Sequence, residues 1–257
     1  MKNNNKVAIV TGASSGIGYA TSLALSKDGI RVAVGARRLD RLQELRKQIL
    51  KNSDKGKIGE GEEEIFIQRK LYVTSKSDCD SFVDTVVKKW GRVDILINNA
   101  GLMPLSYFKN CKVKEWEQMI DVNIKGVLYC TSAVIPYMID KKSGHIVNIS
   151  SVAGRIVFAG GSIYCATKHA ITALSEGLRK ELSPEYNIRV TCVEPGAVAT
   201  ELLETITDES MSKFIEASKN MERLQSEDIA NAILYAIQAP THVNVNEILL
   251  RPTAQER

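Results

Sequence analysis

Tyr164 and Lys168 stand four residues apart in the stretch SIYCATK, at positions 162–168. Apolar residues recur at helical spacing after Gly161, so the sequence predicts a helix that carries both side chains on one face. A nearby cation favours the ionised form of a phenol and moves its pKa from about 10 toward neutral pH. A tyrosine in that setting suits general acid/base catalysis. A lone pair with this spacing is more often a surface tyrosine and a solvated lysine, so the surrounding sequence must decide.

A second pattern, TGASSGIG at positions 11–18, follows an apolar run at 7–10 and precedes a helical pattern. Its glycines at 12, 16 and 18 let the backbone come close to a phosphate, and the helix N-terminus supplies unpaired N–H donors. The spacing GxxxGxG differs from the GxGxxG of the usual dinucleotide fingerprint, and no GK[ST] follows as in a P-loop. The turn is therefore predicted to receive the pyrophosphate of a nucleotide.

The same letters contain GxSxG at positions 12–16, which is also the nucleophile elbow of many hydrolases. That elbow needs an earlier strand–helix loop to build its oxyanion hole, and here the motif follows the first strand. Of the three histidines, His145 lies in a predicted strand, His169 follows Lys168 on the helix, and only His242 remains. Acyl transfer is therefore disfavoured.

The second predicted strand ends at GARRLDRL, positions 35–42. An acidic residue here would bind the ribose hydroxyls of NAD, whereas a basic residue accepts the 2′-phosphate of NADP. Ala36 is neutral and is followed by Arg37 and Arg38, and guanidinium groups pair well with phosphate. NADP is therefore predicted over NAD, with Arg37 a better candidate than Arg38. The alternative is that both arginines simply open a solvated helix.

Short apolar runs alternate with helical patterns along the chain. Seven strands are predicted, at positions 7–10, 31–34, 65–67, 93–97, 145–149, 188–193 and 247–250. This alternation is typical of an α/β, doubly wound, Rossmann-type parallel sheet with helices on both faces. A chain of 257 residues that is 44% hydrophobic is expected to form one core, hence a single domain over 1–257. Residues 1–5 are predicted to be a polar tail, and the charged, Gly-rich segment 51–64 a surface loop remote from the site.

The composition narrows the classes of function. A net charge of +4, from 34 Lys and Arg against 30 Asp and Glu, is too small and too scattered for nucleic-acid binding. Five widely spaced cysteines without a CxxC pair indicate neither a disulfide framework nor a metal site. Because no signal-peptide pattern and no apolar run of membrane-spanning length stand out, a soluble cytoplasmic protein without a membrane partner is expected.

Five motifs follow one another along nearly the whole chain. They are TGASSGIG, NNAG at 98–101, the single Asn in DVNIKG at 121–126, NISS at 148–151 and YxxxK at 164–168. Each motif alone is weak, but five in this order and at these spacings resemble the short-chain dehydrogenase/reductase family. The family oxidises alcohols or reduces carbonyls by hydride transfer with a nicotinamide cofactor, so the resemblance implies that this chain is such an enzyme.

The resemblance also implies roles for individual residues. Tyr164 would be the catalytic acid/base, and Lys168 would lower its pKa and bind the nicotinamide ribose. Ser151 would hydrogen-bond the substrate oxygen, and Asn123 would hold a water that links Lys168 to solvent. The implied cofactor contacts are Gly12, Ser14, Ser15, Gly16, Ile17, Gly18, Arg37, Arg38, Asn99, Ala100, Gly101, Tyr164, Lys168, Pro195, Gly196, Val198 and Thr200. Many family members have Asp where this chain has Tyr72, so its adenine contact departs from the pattern.

The stretches SVAGRI, GGSIYCATK and APTHVNVNEILLRPTAQ resemble the NADP-dependent branch that oxidises serine and other 3-hydroxy acids and reduces small semialdehydes. In that interpretation Arg155 is a candidate partner for a substrate carboxylate. The alternatives are a broad carbonyl reductase or a hydroxysteroid-type enzyme with a larger apolar pocket. From a different class, the chain would be a non-catalytic dinucleotide-sensing protein on the same fold.

The substrate pocket is expected to be assembled from 102–107, 152–158 and a mobile helical lid at about 199–220. The predicted long helices 113–140 and 162–183 carry enough apolar surface to pair with copies of themselves, as they usually do in the family. A homotetramer or a homodimer is therefore expected.

Overall fold

Seven parallel strands form one sheet in the computed structural model of the protein, which describes residues 6–52 and 65–255. The sheet has the order β3-β2-β1-β4-β5-β6-β7. Its strands are β1 (Val7–Thr11), β2 (Arg31–Ala36), β3 (Phe66–Lys70), β4 (Ile95–Asn98), β5 (Gly144–Ile149), β6 (Ile188–Pro195) and β7 (Glu247–Leu250). The prediction of a doubly wound parallel sheet of about seven strands is confirmed.

Helices cover both faces of this sheet, with one turn of π-helix at Asp121–Lys125. They are α1 (Gly16–Lys27), α2 (Leu39–Asn52), α3 (Lys76–Trp90), α4 (Val113–Ile120), α5 (Gly126–Lys141), α6 (Ser162–Tyr186), α7 (Ser212–Asn220) and α8 (Ser226–Gln238). Residues of α1, α2 and α8 pack on one face, and residues of α3, α5 and α6 pack on the other. Helices cover both faces of the sheet, so the side chains on both sides of a central strand are buried. The sequences of these strands are therefore continuous apolar runs rather than alternating polar and apolar residues.

The side chains of β1 illustrate how the two cores form. All five of its residues are buried. Ala8 and Val10 belong to the core under α1, α2 and α8, whereas Val7 and Ile9 belong to the core under α3, α5 and α6. Successive side chains of a strand point to opposite faces of the sheet, so one run of small and β-branched residues contributes side chains to both cores.

Several element boundaries differ from the sequence prediction, and two of them concern polar segments. Helix α2 continues to Asn52, so the predicted loop begins inside a helix, and residues 53–64 lie outside the described part of the chain, as do 1–5. Strand β3 extends past the predicted 65–67 into the polar residues Gln68, Arg69 and Lys70. These residues are tolerated because β3 is an edge strand and Arg69 finds Asp78 and Ser81 on α3.

The helical run 113–141 combines α4, the π-helical turn and α5. Within the described residues it is the one helical stretch whose length and composition would suffice to cross a membrane, with a mean hydropathy of 1.3 in its most apolar window. The core helix of a soluble protein has the same properties, and 44% of that window is buried inside the domain.

The strand order reverses at β1, which lies between β2 and β4. The chain moves outward from β1 to β3 and then returns to the other side of β1 with β4. At such a switch point the loops that follow the strands diverge and leave a crevice at the carboxyl edge of the sheet. This crevice positions the candidate site.

Candidate active site

A cavity of about 990 Å³ opens at the carboxyl edge of the sheet. Volumes of this size are typical of small-molecule and cofactor sites. Seventeen of the predicted site residues line it: Gly12, Ser14, Ser15, Gly16, Ile17, Arg37, Arg38, Asn99, Ala100, Gly101, Ser151, Tyr164, Lys168, Pro195, Gly196, Val198 and Thr200. Gly18 and Asn123 are the two predicted residues that lie behind the wall of the cavity.

The turn between β1 and α1 has the backbone that its glycines were expected to provide. Gly12 and Gly16 have φ angles of +66° and +57°, a left-handed region in which a side chain is strained. A Cβ on Gly12 would also lie 2.7 Å from the Cα of Ala100. Helix α1 begins at Gly16, and Ser15 makes no side-chain capping bond to it. The first N–H groups of α1 are therefore suited to bind an anion.

Gly18 has a packing role that the sequence did not show. A Cβ at this position would lie 2.4 Å from Nδ2 of Asn99 and 2.7 Å from the carbonyl oxygen of Gly12. The Asn99 amide occupies this space because it donates to the carbonyl oxygens of Thr11 and Gly12, at 2.9 and 3.1 Å. Gly18 therefore permits close packing behind the turn, and it is not among the residues that line the cavity. Its assignment as a cofactor contact stays a prediction.

Two arginines border the end of the cavity next to β2. Arg38 donates from Nε and Nη2 to Oγ of Ser14, at 3.3 and 3.1 Å, and from Nη2 to Oγ of Ser15, at 2.8 Å. Its Nη1 forms an ion pair of 2.7 Å with Glu201. Arg37 is exposed and lines the same end. Arg38 is thus the arginine held against the glycine turn, whereas the sequence favoured Arg37.

Helix α6 places Tyr164 and Lys168 on one face, as their spacing predicted. Both side chains are buried, with 5% and 8% exposed. Nζ of Lys168 lies 5.7 Å from the centroid of the Tyr164 ring and donates to the carbonyl oxygen of Ile149 at 2.9 Å. Ser151 follows β5 and lies close enough to Tyr164 for its hydroxyl to lower the pKa of the phenol, and its Oγ donates to the carbonyl oxygen of Pro195 at 3.2 Å. A phenol, a hydroxyl and an amine therefore meet at one point of the cavity wall.

Burial controls the protonation of this group. It raises the pKa of Tyr164 to about 12, and the hydrogen bond with Ser151 opposes the rise only in part. It lowers the pKa of Lys168 to about 8. The effect of Lys168 on the pKa of Tyr164, which the resemblance implied, stays a prediction. In this structure desolvation is the largest cause of the shift in the pKa of Tyr164. The phenol is therefore neutral near pH 7 and carries a proton.

Asn123 lies in the π-helical turn and is buried. Its Oδ1 accepts from the backbone N–H of Leu102 at 3.0 Å, and its Nδ2 donates to the Leu102 carbonyl at 3.0 Å and to Oγ1 of Thr167 at 3.2 Å. The side-chain amide thus fixes the segment after β4 against α6. The water relay implied by the resemblance stays a prediction.

Arg155, the candidate partner for a substrate carboxylate, is not among the residues that line the cavity. Its Nε lies 2.9 Å from each carboxylate oxygen of Glu194, and Nη2 forms a further ion pair with Glu247. Glu194 is fully buried. A buried carboxylate needs a counter-charge, and Arg155 supplies it to Glu194. Its guanidinium is therefore already paired inside the protein.

The part of the cavity beyond Tyr164 is predominantly apolar. Its lining residues include Leu102, Met103, Val152, Ala153, Ile156, Phe158, Ala159, Leu202, Leu203 and Phe214. Among the described residues that line the whole cavity, the lysines and arginines are Arg37, Arg38 and Lys168. The two arginines lie at the opposite end, and Lys168 is bonded to Ile149. The inner chamber therefore offers no arginine and no unbonded lysine to a substrate carboxylate.

Residues 201–220 cover this chamber with two short 3-10 helices and α7. Oγ1 of Thr205 accepts from the backbone N–H of Met103 at 3.0 Å. The rings of Phe158 and Phe214 stack with their centroids 5.6 Å apart. Asn110 donates to Asp208 at 2.6 Å. The segment after Thr200 is thus fastened to the loops after β4 and β5.

The cavity does not support the hydrolase alternative. None of the three histidines appears among its lining residues in the described part of the chain. The hydroxyl of Ser14, the residue in the nucleophile position, accepts from Arg38. No group of three potential metal ligands occurs among the described residues.

Comparisons with known proteins agree with a dinucleotide-binding oxidoreductase. The family model for the short chain dehydrogenases matches residues 6–211. An uncharacterized oxidoreductase of Staphylococcus saprophyticus is 46% identical over 253 residues, which cover 98% of this chain and 97% of that protein. A serine dehydrogenase solved in its closed form with NADP⁺ has a TM-score of 0.87 at 33% identity, and the match covers 98% of this chain and 96% of that one. An alcohol dehydrogenase of the archaeon Thermococcus sibiricus, solved with 5-hydroxy-NADP, has a TM-score of 0.82 at 27% identity with 98% of both chains covered.

The chain belongs to the short-chain dehydrogenase/reductase family. It is an NAD(P)-dependent oxidoreductase, and the resemblance inferred from the five motifs is confirmed.

The sequence analysis missed several residues that line the cavity. Tyr72, Val73 and Thr74 border the end next to β2, although only the departure at Tyr72 had been noted. Glu201 pairs with Arg38, and its position directly after Thr200 was the one available signal. Gln255 accepts a hydrogen bond from the backbone N–H of Ala197, and no pattern in the C-terminal sequence predicted this contact.

Proposed function

We propose that this protein is an NADP(H)-dependent oxidoreductase that interconverts an alcohol and an uncharged carbonyl compound with an apolar substituent. The observation that carries the proposal is the arrangement along one cavity. Arginines stand at one end, the Ser151, Tyr164 and Lys168 side chains meet in the middle, and an apolar chamber lies beyond them. Each part matches one portion of the cofactor–substrate pair.

The residues present fit a dinucleotide. The glycine turn and the N-terminus of α1 would hold the pyrophosphate, and Asn99, Ala100 and Gly101 would line its path. Val198 and Thr200 would contact the nicotinamide amide. Arg37 and Arg38 would bind the 2′-phosphate, since Ala36 supplies no carboxylate for the ribose hydroxyls of NAD. This is the basis for preferring NADP(H).

A nicotinamide cofactor bound by these residues would supply the hydride in reduction and accept it in oxidation. The neutral phenol of Tyr164 donates a proton to the carbonyl oxygen during reduction, and Ser151 hydrogen-bonds the same oxygen as charge develops on it. Lys168 holds the cofactor ribose beside the phenol. In oxidation Tyr164 first releases its own proton to solvent, and the resulting phenolate accepts the proton from the alcohol. Residues 201–220 act as a lid that excludes water.

The character of the chamber supports an uncharged substrate. Burying a carboxylate without a counter-charge is costly, and the one candidate cation that the sequence offered, Arg155, is held by Glu194 and Glu247. The second candidate is the oxidation of a 3-hydroxy acid such as serine, or the reduction of a related semialdehyde. It is favoured by the likeness to a serine dehydrogenase at 33% identity.

The test is a set of initial rates for the purified protein. NADPH and NADH are compared with aliphatic, aromatic and cyclic carbonyls, including a steroid ketone, and NADP⁺ and NAD⁺ with serine and 3-hydroxyisobutyrate. NADPH-linked reduction of the uncharged carbonyls is the expected outcome. Turnover of the hydroxy acids alone would select the second candidate. Tight cofactor binding with no turnover of any compound would favour a non-catalytic sensor.

We also propose that the protein forms a homotetramer or a homodimer. Val113, Ile120 and Leu128 are exposed on the helical run 113–141, at 49%, 41% and 43%. Apolar side chains along one run are suited to a symmetric contact. Light scattering coupled to size exclusion would return two or four copies of the chain, and a monomer at micromolar concentration would contradict this. A cytoplasmic location and the lack of a nucleic-acid or membrane partner remain expectations.

A further inference from the structure

Glu201 stands where the proposed lid meets the proposed 2′-phosphate site. It is the first residue of the short helix Glu201–Thr205, directly after Thr200, and it lines the same cavity as Arg37 and Arg38. One carboxylate oxygen lies 2.7 Å from Nη1 of Arg38, and the other lies 3.8 Å from Nη1 of Arg41. A single carboxylate thus faces a cluster of arginines.

The charges in this cluster are defined at neutral pH. The ion pair with Arg38 is the largest cause that lowers the pKa of Glu201 below its usual range, so the side chain is anionic. Each of the three guanidinium nitrogens of Arg38 has a partner, because Nε and Nη2 bond the two serines of the glycine turn and Nη1 bonds Glu201. A second anion that binds Arg38 must share the guanidinium with Glu201 or displace it.

We propose that Glu201 competes with the 2′-phosphate of NADP(H) for Arg38 and so limits the preference of the protein for NADP(H) over NAD(H). The inference rests on the proposed use of the two arginines for that phosphate. The 2′-phosphate carries about two negative charges near pH 7, which a neighbouring carboxylate repels. NAD(H) has a neutral hydroxyl at the same position, so the carboxylate leaves its affinity almost unchanged. Glu201 is therefore a specificity-determining residue for the cofactor.

The test is the substitution Glu201→Gln, which keeps the shape of the side chain and removes its charge. Dissociation constants for NADPH and NADH are measured by fluorescence titration at low salt. Since exposed ion pairs contribute about 0–1 kcal/mol, the Kd for NADPH is expected to fall about three- to fivefold. The Kd for NADH is expected to stay within about twofold. The gain should shrink at 0.5 M salt, because exposed charges are then screened.

Two controls separate this effect from a general change in charge. Glu216→Gln removes the same charge from an exposed position on α7, away from the cavity, and should leave both constants unchanged. Glu201→Gln is also measured in an Arg38→Ala background. There the gain in NADPH affinity should largely disappear, because the group for which the two anions compete is gone.

The outcomes distinguish the inference from the proposed function. An unchanged or weaker NADPH affinity in Glu201→Gln overturns the inference while the proposed function stands. Wild-type protein that binds NADH more tightly than NADPH contradicts the proposed NADP preference, and a selective gain in NADPH affinity would still support the role of Glu201. Wild-type and variant proteins that both fail to bind NADPH contradict the two together.

Discussion

Different physical effects dominate at the two ends of the cavity: exposed charge pairs at one end and desolvation at the other. At the adenosine end, the charges of Arg38 and Glu201 are 44% and 34% exposed and meet at the surface. At the catalytic end, Tyr164 and Lys168 are buried, and burial moves their pKa values to about 12 and about 8. Exposed charges are screened by salt, whereas desolvation is an internal property of the fold. The cofactor end is therefore tunable by single charges, and the catalytic end depends on packing.

Tyr164→Phe tests the catalytic end with the largest expected effect. It removes the hydroxyl that we propose donates the proton, and it keeps the ring in the core. We expect kcat to fall by at least about a hundredfold, the usual contribution of a general acid. The Kd for NADPH should stay within about threefold, since the ring still packs. Steady-state kinetics and a cofactor titration on the same preparation measure both. A variant with near-normal kcat would remove Tyr164 from the mechanism.

Lys168→Met tests the claim that burial penalises the lysine charge. The folded pKa of Lys168 is about 8 and its ordinary value is 10.5, so the unfolded chain binds more protons between those pH values. The free-energy cost of burying the charged amine is fully present below pH 8 and is lost as the pH rises toward 10.5. The wild type is therefore more stable near pH 10.5 than below pH 8 with respect to this group. Since one pKa unit corresponds to about 1.4 kcal/mol, the wild type should gain about 3 kcal/mol relative to the variant.

Chemical denaturation of the two proteins at pH 7.5, 9 and 10.5 follows this difference. Comparison within each pH cancels the other titrating groups, Tyr164 included. A difference in the free energy of unfolding that does not change with pH would show that Lys168 is not desolvated.

Arg37→Ala and Arg38→Ala test the cofactor end. Charge-assisted hydrogen bonds to a phosphate contribute about 1.5–3 kcal/mol, so at least one variant should bind NADPH about tenfold more weakly. NADH should be affected little. Arg41→Ala, which removes a flanking arginine, is the matched control. Equal losses for NADPH and NADH would mean that neither Arg37 nor Arg38 recognises the 2′-phosphate.

Thr205→Val gives the smallest expected effect and tests the segment that covers the chamber beyond Tyr164. The valine keeps the volume but loses the acceptor for the backbone N–H of Met103. A neutral hydrogen bond contributes about 1 kcal/mol, so KM for the carbonyl should rise about threefold to fivefold with kcat within about twofold. An unchanged KM would indicate that this bond does not hold the proposed lid over the chamber.

Much of the fold could be predicted from the sequence because the signals are local. The apolar runs mark the strands, and Gly12 and Gly16 mark a turn that requires positive φ. The spacing of Tyr164 and Lys168 places them on one helical face. Each of these features is written in a few adjacent residues and needs no knowledge of distant contacts.

The remaining features depend on residues that meet only in the folded chain. Arg155 was considered as a substrate partner because the sequence does not show that Glu194 and Glu247 surround it. Glu201 pairs with Arg38 across a long stretch of chain. The direction of the pKa shift of Tyr164 follows from burial, which is a tertiary property that the spacing of Lys168 does not reveal.

The central claim is that the chamber beyond Tyr164 accepts an uncharged carbonyl compound. It is tested most directly by kcat/KM for NADPH-dependent reduction of two matched aldehydes, butanal and succinic semialdehyde, which differ in a terminal methyl or carboxylate. The account predicts that butanal is reduced at least about tenfold more efficiently, since the carboxylate would be buried without a counter-charge. Preference for succinic semialdehyde would contradict the account and select the hydroxy-acid branch.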